Sequence, residues 1–167
     1  DISKLSITGE GGSSYTLTSS DVEVGSSTTF SVTLNAADQL NVGGLLNKNG
    51  TSSDGGTTYN LAAADNWLAG AAASADISDA SSNGITVSNV ANPTLSSAAF
   101  NASSGVLTVT GTNFVKENGS NNDIDISKLS ITGEGGSSYT LTSSDVEVGS
   151  STTVSYTHLR AHETRIH

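Results

Sequence analysis

The 167-residue sequence predicts a mainly all-β protein, built as repeated antiparallel β-sandwiches with one or two short helical insertions. Three observations support this prediction. Apolar and polar residues alternate in several short segments, which is the period-two pattern of half-buried strands. Clusters of glycine and serine separate these segments and favour turns. Residues 1–29 recur without a change at 125–153, so the chain contains an internal repeat with a period of 124 residues.

The alternating segments locate the individual elements. Strands are predicted in the first copy at 4–8, 14–18, 21–24 and 29–34. Asn35 is placed to cap a short helix over 36–46, although the Gly43-Gly44 pair lowers its helix propensity. Later strands are predicted at 58–61, 84–90 and 105–114, and an Ala-rich stretch at 62–75 is helical or irregular.

Pro93 is the single proline, and we place the junction between successive domains beside it. Proline favours an extended residue before it and cannot donate to a central ladder. The predicted division has three parts. Residues 1–90 are the C-terminal three-quarters of one repeat, and residues 91–153 are the N-terminal half of the next. Residues 154–167 are a separate C-terminal tail. On this division the first domain has an open slot in one sheet. We expect segment 93–115 to fill that slot, within the chain or in another molecule.

The segment 154–167 differs abruptly from the rest and holds every His and Arg of the chain. It resembles the translation of a sequencing-library adapter, so we expect a non-native tail outside any core. His158 and His162 have the spacing of zinc ligands on one helix face. Glu163 follows the second His, so the general base of a metalloprotease motif is not in place.

Composition excludes several classes of function. The formal net charge of −10 argues against a nucleic-acid partner, because phosphate binding needs a basic face. The apolar runs are too short to span a bilayer. The absence of cysteine fits an extracellular protein. Residues 1–153 contain no His, so a serine nucleophile has no histidine base there and we predict that the protein is not an enzyme.

One candidate metal site lies at the start of the second copy of the repeat. Asp123 and Asp125 flank an apolar residue and point the same way in an extended chain, and Glu134 is a third carboxylate nearby. Ca²⁺ takes about 6–8 oxygen ligands of this type. The spacing does not match an EF-hand. The alternative interpretation is a solvated loop that binds no cofactor.

Two further sets of residues admit both a functional and a structural interpretation. Asp21 with Glu23, and Asp145 with Glu147, form carboxylate pairs of the kind that glycosidases use, or the solvent face of a strand. Three aromatic side chains are candidates for stacking on sugars or for the core: Tyr15, Tyr59 and Trp67.

Segments 93–100 and 105–114 resemble the opening strands of IPT/TIG-like immunoglobulin-fold domains. The whole period, including 125–134 and 46–51, resembles tandem repeats of very large bacterial surface proteins. These include adhesins and giant repeat proteins associated with swimming in cyanobacteria. The resemblance implies an Ig-like fold and a structural stalk or spacer at the bacterial cell surface, outside the cell.

The partners that this resemblance implies are neighbouring repeats of the same chain, surface glycans or other cells. The alternative function is a carbohydrate- or calcium-dependent binding module, either on its own or as an accessory domain of a secreted hydrolase. No catalytic motif accompanies the resemblance.

Overall fold

The computed structural model describes residues 1–120 and 122–157, and it divides into two compact units. Unit 1 comprises Asp1–Asn92 with Lys116–Asn118, and unit 2 comprises Pro93–Val115 with the described part of Gly119–His167. The described residues form three antiparallel sheets and one α-helix, so the protein is β-rich. Segment 93–115 belongs to unit 2. It therefore packs with the second copy of the repeat and does not fill the slot expected in the first.

Unit 1 combines one small sheet with the helix. Its elements are β1 (Leu5–Thr8), β2 (Ser14–Thr16), α1 (Ala36–Leu45) and β3 (Asn60–Ala63). The strand order is β2-β1-β3, with Ile7 opposite both Tyr15 and Leu61. The alternation along β1 points Leu5 and Ile7 into the core, where they cluster with Val42 and Leu45 of α1.

The predicted helix is confirmed, and its start has a local cause. The side chain of Asn35 accepts a hydrogen bond from the backbone N–H of Asp38 at 2.8 Å, which satisfies one free donor of the first turn. Gly44 is required by close approach, because a Cβ there would collide with the carbonyl group of Lys116. In the described part of the chain, no helix has the length and apolar character needed to cross a bilayer.

Unit 2 contains a three-stranded sheet and a two-stranded ladder. The sheet has the order β4-β5-β8, from β4 (Thr94–Asn101), β5 (Val106–Thr112) and β8 (Thr153–Thr157). The ladder pairs β6 (Ser130–Thr132) with β7 (Ser138–Thr140). Leu107 of β5 is buried in one cluster with Ile126 and Leu141. This core joins segment 93–115 to the second copy of the repeat.

Three predicted strands are absent from the described part of unit 1, at 21–24, 29–34 and 84–90. The residues at 84–90 form two isolated bridges instead of a strand, Gly84 with Asn60 and Val87 with Gly50. The other two segments have counterparts in unit 2 that pair with residues of 93–124. Alternation in sequence marks residues that suit a strand, but the strand forms only where a neighbour completes its ladder.

The start of the expected tail is part of unit 2. Val154 lies opposite Val109 in the β5–β8 ladder and is only 5% exposed. The expectation that this segment lies outside any core is therefore wrong for Val154. Residues 158–167, including the zinc candidates His158 and His162, lie outside the described residues. An origin in adapter sequence stays a prediction.

The two identical copies form the same local structure. Asp1 and Asp125 each accept a hydrogen bond from the backbone N–H two residues later, at 3.0 Å in both cases. Gly11 and Gly135 adopt the same left-handed conformation, with φ of 65° and 66°. The two copies differ in how far other elements cover their side chains. Ile7 is 7% exposed beneath α1, whereas its counterpart Ile131 is 41% exposed.

We expect Gly9→Ala to destabilise unit 1 by about 2 kcal/mol, because the added Cβ would collide with the carbonyl of Leu45 at the end of α1. Gly133 is the same residue in the second copy, where a Cβ would meet no atom within 4 Å. Gly133→Ala is therefore the matched control, and both variants are compared by urea unfolding. Equal shifts for the two variants would contradict this packing.

We expect removal of 154–167 to destabilise unit 2 by about 2 kcal/mol more than removal of 158–167. The longer deletion removes most of β8 and the buried side chain of Val154, which the shorter one retains. Hydrogen exchange of the β5 amides measures the difference. If the two truncated chains protect β5 equally, β8 contributes nothing to unit 2.

Candidate functional site

The three candidate calcium ligands lie in unit 2, and two of them are engaged by the backbone. Asp123 accepts a hydrogen bond from the N–H of Val148 at 2.6 Å. Asp125 caps the 3₁₀ turn Ile126–Lys128 by accepting the N–H and the hydroxyl of Ser127. The hydrogen bond from the Ser127 hydroxyl is the main cause that lowers the pKa of Asp125. These contacts explain why the sequence places carboxylates here without invoking an ion.

Glu134 begins the next 3₁₀ turn, Glu134–Gly136. Among the residues that the structure describes, no group of three or more His, Cys, Asp or Glu side chains is placed to hold a metal ion. The structure thus does not bring Asp123, Asp125 and Glu134 together as one set. Calcium binding at these residues stays a prediction.

The first copy of the repeat shows the contacts that a glutamate at the position of Glu134 makes in unit 1. Glu10, the counterpart of Glu134, accepts hydrogen bonds from the N–H of Gly55 at 2.9 Å and the amide of Asn47 at 2.8 Å. The bond from Gly55 is the main cause that lowers the pKa of Glu10. The glutamate therefore anchors the loop at 47–55 to the hairpin. Sequence alone gives no signal for this role, because the partners are about forty residues away.

Three of the four carboxylates in the two pairs likewise accept hydrogen bonds from the backbone. Asp21 accepts the N–H of Ile2 at 2.8 Å, and Asp145 accepts the N–H of Ile126 at 3.0 Å. Glu147 accepts the N–H of Asn122 at 3.0 Å. The two aspartates have the same partner in both copies, so they fix the start of the repeat against its later part. These hydrogen bonds give Asp21, Asp145 and Glu147 a structural role.

The aromatic candidates differ in their environment. Tyr59 is fully buried, and its hydroxyl donates to the carbonyl of Lys48 at 3.1 Å, so it is a core residue and cannot stack on a sugar. Tyr15 is half-buried and donates to the carboxylate of Asp38 at 3.0 Å. Trp67 donates its indole N–H to the carbonyl of Ile77 at 3.0 Å and lies 6.0 Å from Phe30, ring centre to ring centre.

Trp67 lines a cleft of about 550 Å³ in unit 1. Ile2, Val22 and Phe30 provide apolar walls, and the acidic side chains of Asp1, Asp21 and Glu23 also line it. An apolar surface with an acidic border suits an extended peptide or a sugar ring better than an anion.

A buried carboxylate that sequence analysis missed organises the same unit. Asp38 is completely buried, and it accepts hydrogen bonds from the backbone N–H groups of Thr18 and Ser19, from both of their hydroxyls and from Tyr15. Burial acts to raise the pKa of Asp38, but the bonds from Ser19, Thr18 and Tyr15 outweigh it and hold the pKa below its ordinary value. The N-cap Asn35 three residues earlier was the only available signal, and it indicates a helix start rather than burial.

We expect Asp38→Asn to lower the free energy of unfolding by about 2 to 4 kcal/mol at pH 7, because buried donors lose a charged acceptor. The folded pKa of Asp38 lies below its ordinary 3.8, so its contribution is complete above that value and is lost as the pH falls through the folded pKa. The difference in the free energy of unfolding between the wild type and Asp38→Asn should therefore become smaller in acid.

Asp54→Asn is the control for this measurement, because the Asp54 side chain is 83% exposed and forms a surface ion pair with Lys48 at 3.7 Å. Urea unfolding followed by Trp67 fluorescence at pH 7, 5 and 3 measures all three proteins. A pH-independent gap for Asp38→Asn would show that the carboxylate is not charged in the folded protein.

Comparison with protein-family models, with curated proteins and with solved structures finds no match to this chain.

Proposed function

We propose that this chain is a structural tandem-repeat segment, a stalk or spacer, of a large secreted bacterial cell-surface adhesin or matrix protein. Its repeats are proposed to be Ig-like sandwiches that lie outside the cell and contact neighbouring repeats of the same chain. The observation that carries this proposal is the pair of identical segments. Each forms the same turns and hairpin from its own hydrogen bonds in a different unit. Interchangeable modules of this kind suit a function that depends on length.

The use of the acidic side chains supports the same proposal. Glu10, Asp21, Asp38 and Asp125 accept hydrogen bonds from backbone N–H groups. Each of these carboxylates therefore holds a turn or a loop in place. The net charge of −10 keeps neighbouring repeats soluble and apart.

The core of unit 2 supports the sandwich part of the proposal. β5 belongs to one antiparallel sheet, and Leu141 directly follows a strand of the second ladder. Leu107 from β5, Leu141 and Ile126 are buried together. Two antiparallel layers with a shared apolar interior are the basis of a sandwich.

The second candidate is a carbohydrate- or calcium-dependent binding module that is accessory to a secreted hydrolase. The cleft of unit 1 favours it, because Trp67 and Phe30 lie there beside acidic side chains. Aromatic rings of this kind stack on the apolar faces of sugars.

The spacer proposal is tested on a polyprotein of several tandem repeats, in which each repeat consists of residues 93–153 followed by residues 30–92. The polyprotein is stretched in single-molecule force spectroscopy. We expect equal unfolding steps of roughly 400 Å, because 124 residues extend by about 3.3–3.6 Å each. Unequal or missing steps would contradict independently folded spacer units.

The same polyprotein is applied to a panel of surface polysaccharides with calcium and with EDTA. The spacer proposal expects no retention in either condition. Retention that Trp67→Ala abolishes, while Phe100→Ala on β4, where the side chain is 52% exposed, leaves it intact, would favour the binding module instead.

A further inference from the structure

The cleft of unit 1 is bordered by apolar residues that an intact core would cover. Ile2, Val22, Val24, Phe30 and Trp67 line it. Val24 is 51% exposed and Phe30 is 36% exposed. Large apolar side chains in one depression mark a surface that binds another segment of polypeptide.

The second copy of the repeat shows which polypeptide covers these positions. Val148 is the counterpart of Val24, and it is 1% exposed. Its N–H donates to Asp123, and Val146, the counterpart of Val22, forms an antiparallel bridge with Ile124. Both partners belong to the segment 93–124 that precedes the second copy. Among the described residues of unit 1, no strand pairs with the corresponding part of the first copy.

The segment after Val24 shows the same difference. In unit 2, the backbone at 153–157 pairs with β5, and Thr110, Val109 and Thr108 lie opposite Thr153, Val154 and Ser155. Their counterparts Thr29, Phe30 and Ser31 have almost the same sequence, yet they form no strand in unit 1. The hydrogen-bonding edge that β5 occupies in unit 2 therefore has no strand beside it at 29–33.

The turn that leads into this edge is already formed. The hydroxyl of Ser26 accepts the N–H of Thr29 at 3.0 Å, and the hydroxyl of Ser150 accepts the N–H of Thr153 at 2.9 Å. The acceptor edge thus has its bound geometry at the turn before any partner is present. Preorganisation of this kind lowers the entropy that association must overcome.

We propose that the cleft of unit 1 is a docking site for a second copy of segment 93–124, whose β5 strand adds antiparallel to 29–33. The register follows from unit 2: Thr110, Val109 and Thr108 of the incoming copy lie opposite Thr29, Phe30 and Ser31. Val109 and Ile124 of that copy then cover Val24 and Phe30. The proposal rests on the proposed tandem array only for the source of the second copy.

The test adds a copy of 93–124 directly before Asp1 of the full chain, which reproduces the order seen around the second copy. The chain has no cysteine, so an introduced pair is the only one present. Ser31→Cys is combined with Thr108→Cys in the added copy. Gly111 donates to the carbonyl of Thr152, which makes Thr108 and Ser155 a non-hydrogen-bonded pair, and such pairs have Cα atoms about 4.5 Å apart.

The matched control combines Ser31→Cys with Thr112→Cys in the added copy. Both threonines lie on the same face of β5, but four residues move the second cysteine about 13 Å along the strand. We expect the Thr108 pair to oxidise to a disulfide at least tenfold faster than the Thr112 pair. Equal rates for the two pairs would overturn the proposed register.

Trp67 gives a second measurement that needs no cysteine, because it is the only tryptophan and the added segment has none. We expect a blue-shifted emission and at least twofold weaker acrylamide quenching in the extended chain. Amide exchange at 29–33 should slow at least tenfold, with the amides of unit 2 as the internal reference. Unchanged Trp67 emission and exchange would overturn the docking site.

These readouts are independent of the spacer test. Unequal mechanical steps would overturn the proposed function, whereas disulfide formation in the wrong register would overturn only the docking site. A Trp67 signal that still responds to oligosaccharides in the extended chain would also overturn it, because the cleft would then remain open.

Discussion

The buried carboxylate of Asp38 connects helix α1 to the residues that follow β2, and the packing of unit 1 depends on that connection. A charge removed from water is stable only when hydrogen bonds replace its hydration, so Thr18, Ser19 and Tyr15 must all remain in place around it. This requirement fixes one position for the helix. In that position Val42 and Leu45 meet Leu5 and Ile7 of the strand below.

The two copies of the repeat separate local from long-range causes of structure. The caps, the left-handed glycine and the hairpin register are the same in both, because their hydrogen bonds join residues within the segment. Burial differs, because it depends on what each unit places over the hairpin. Tyr15 binds Asp38, whereas the identical Tyr139 is 58% exposed. Identical sequence therefore determines the hairpin, and its neighbours determine which face is covered.

The same distinction explains how much of the fold was predictable. The alternation of Leu5 and Ile7, the cap at Asn35 and the strong pattern of β5 are local signals, and the structure contains β1, α1 and β5. The strand predicted at 29–34 is absent, since a ladder needs a partner from a distant segment. The same contrast between local signals and distant partners applies to the site residues. Acidic positions were recognised, but the backbone partners of Glu10 and Asp38 lie 45 and 20 residues away and leave no pattern in sequence.

The pairing of β5 with residues of the second copy has a consequence for how such a chain is synthesised. A chain of near-identical copies offers one strand several acceptors of similar affinity, and exchange between neighbours is a characteristic failure of repeat proteins. In this sequence β5 comes before the copy that it joins and after the previous one. In the proposed array, when a ribosome makes the chain from its N-terminus, each earlier acceptor is occupied by the strand that precedes it. The next acceptor to emerge is then the correct one, so the order of translation selects the pairing that the sequence by itself leaves degenerate.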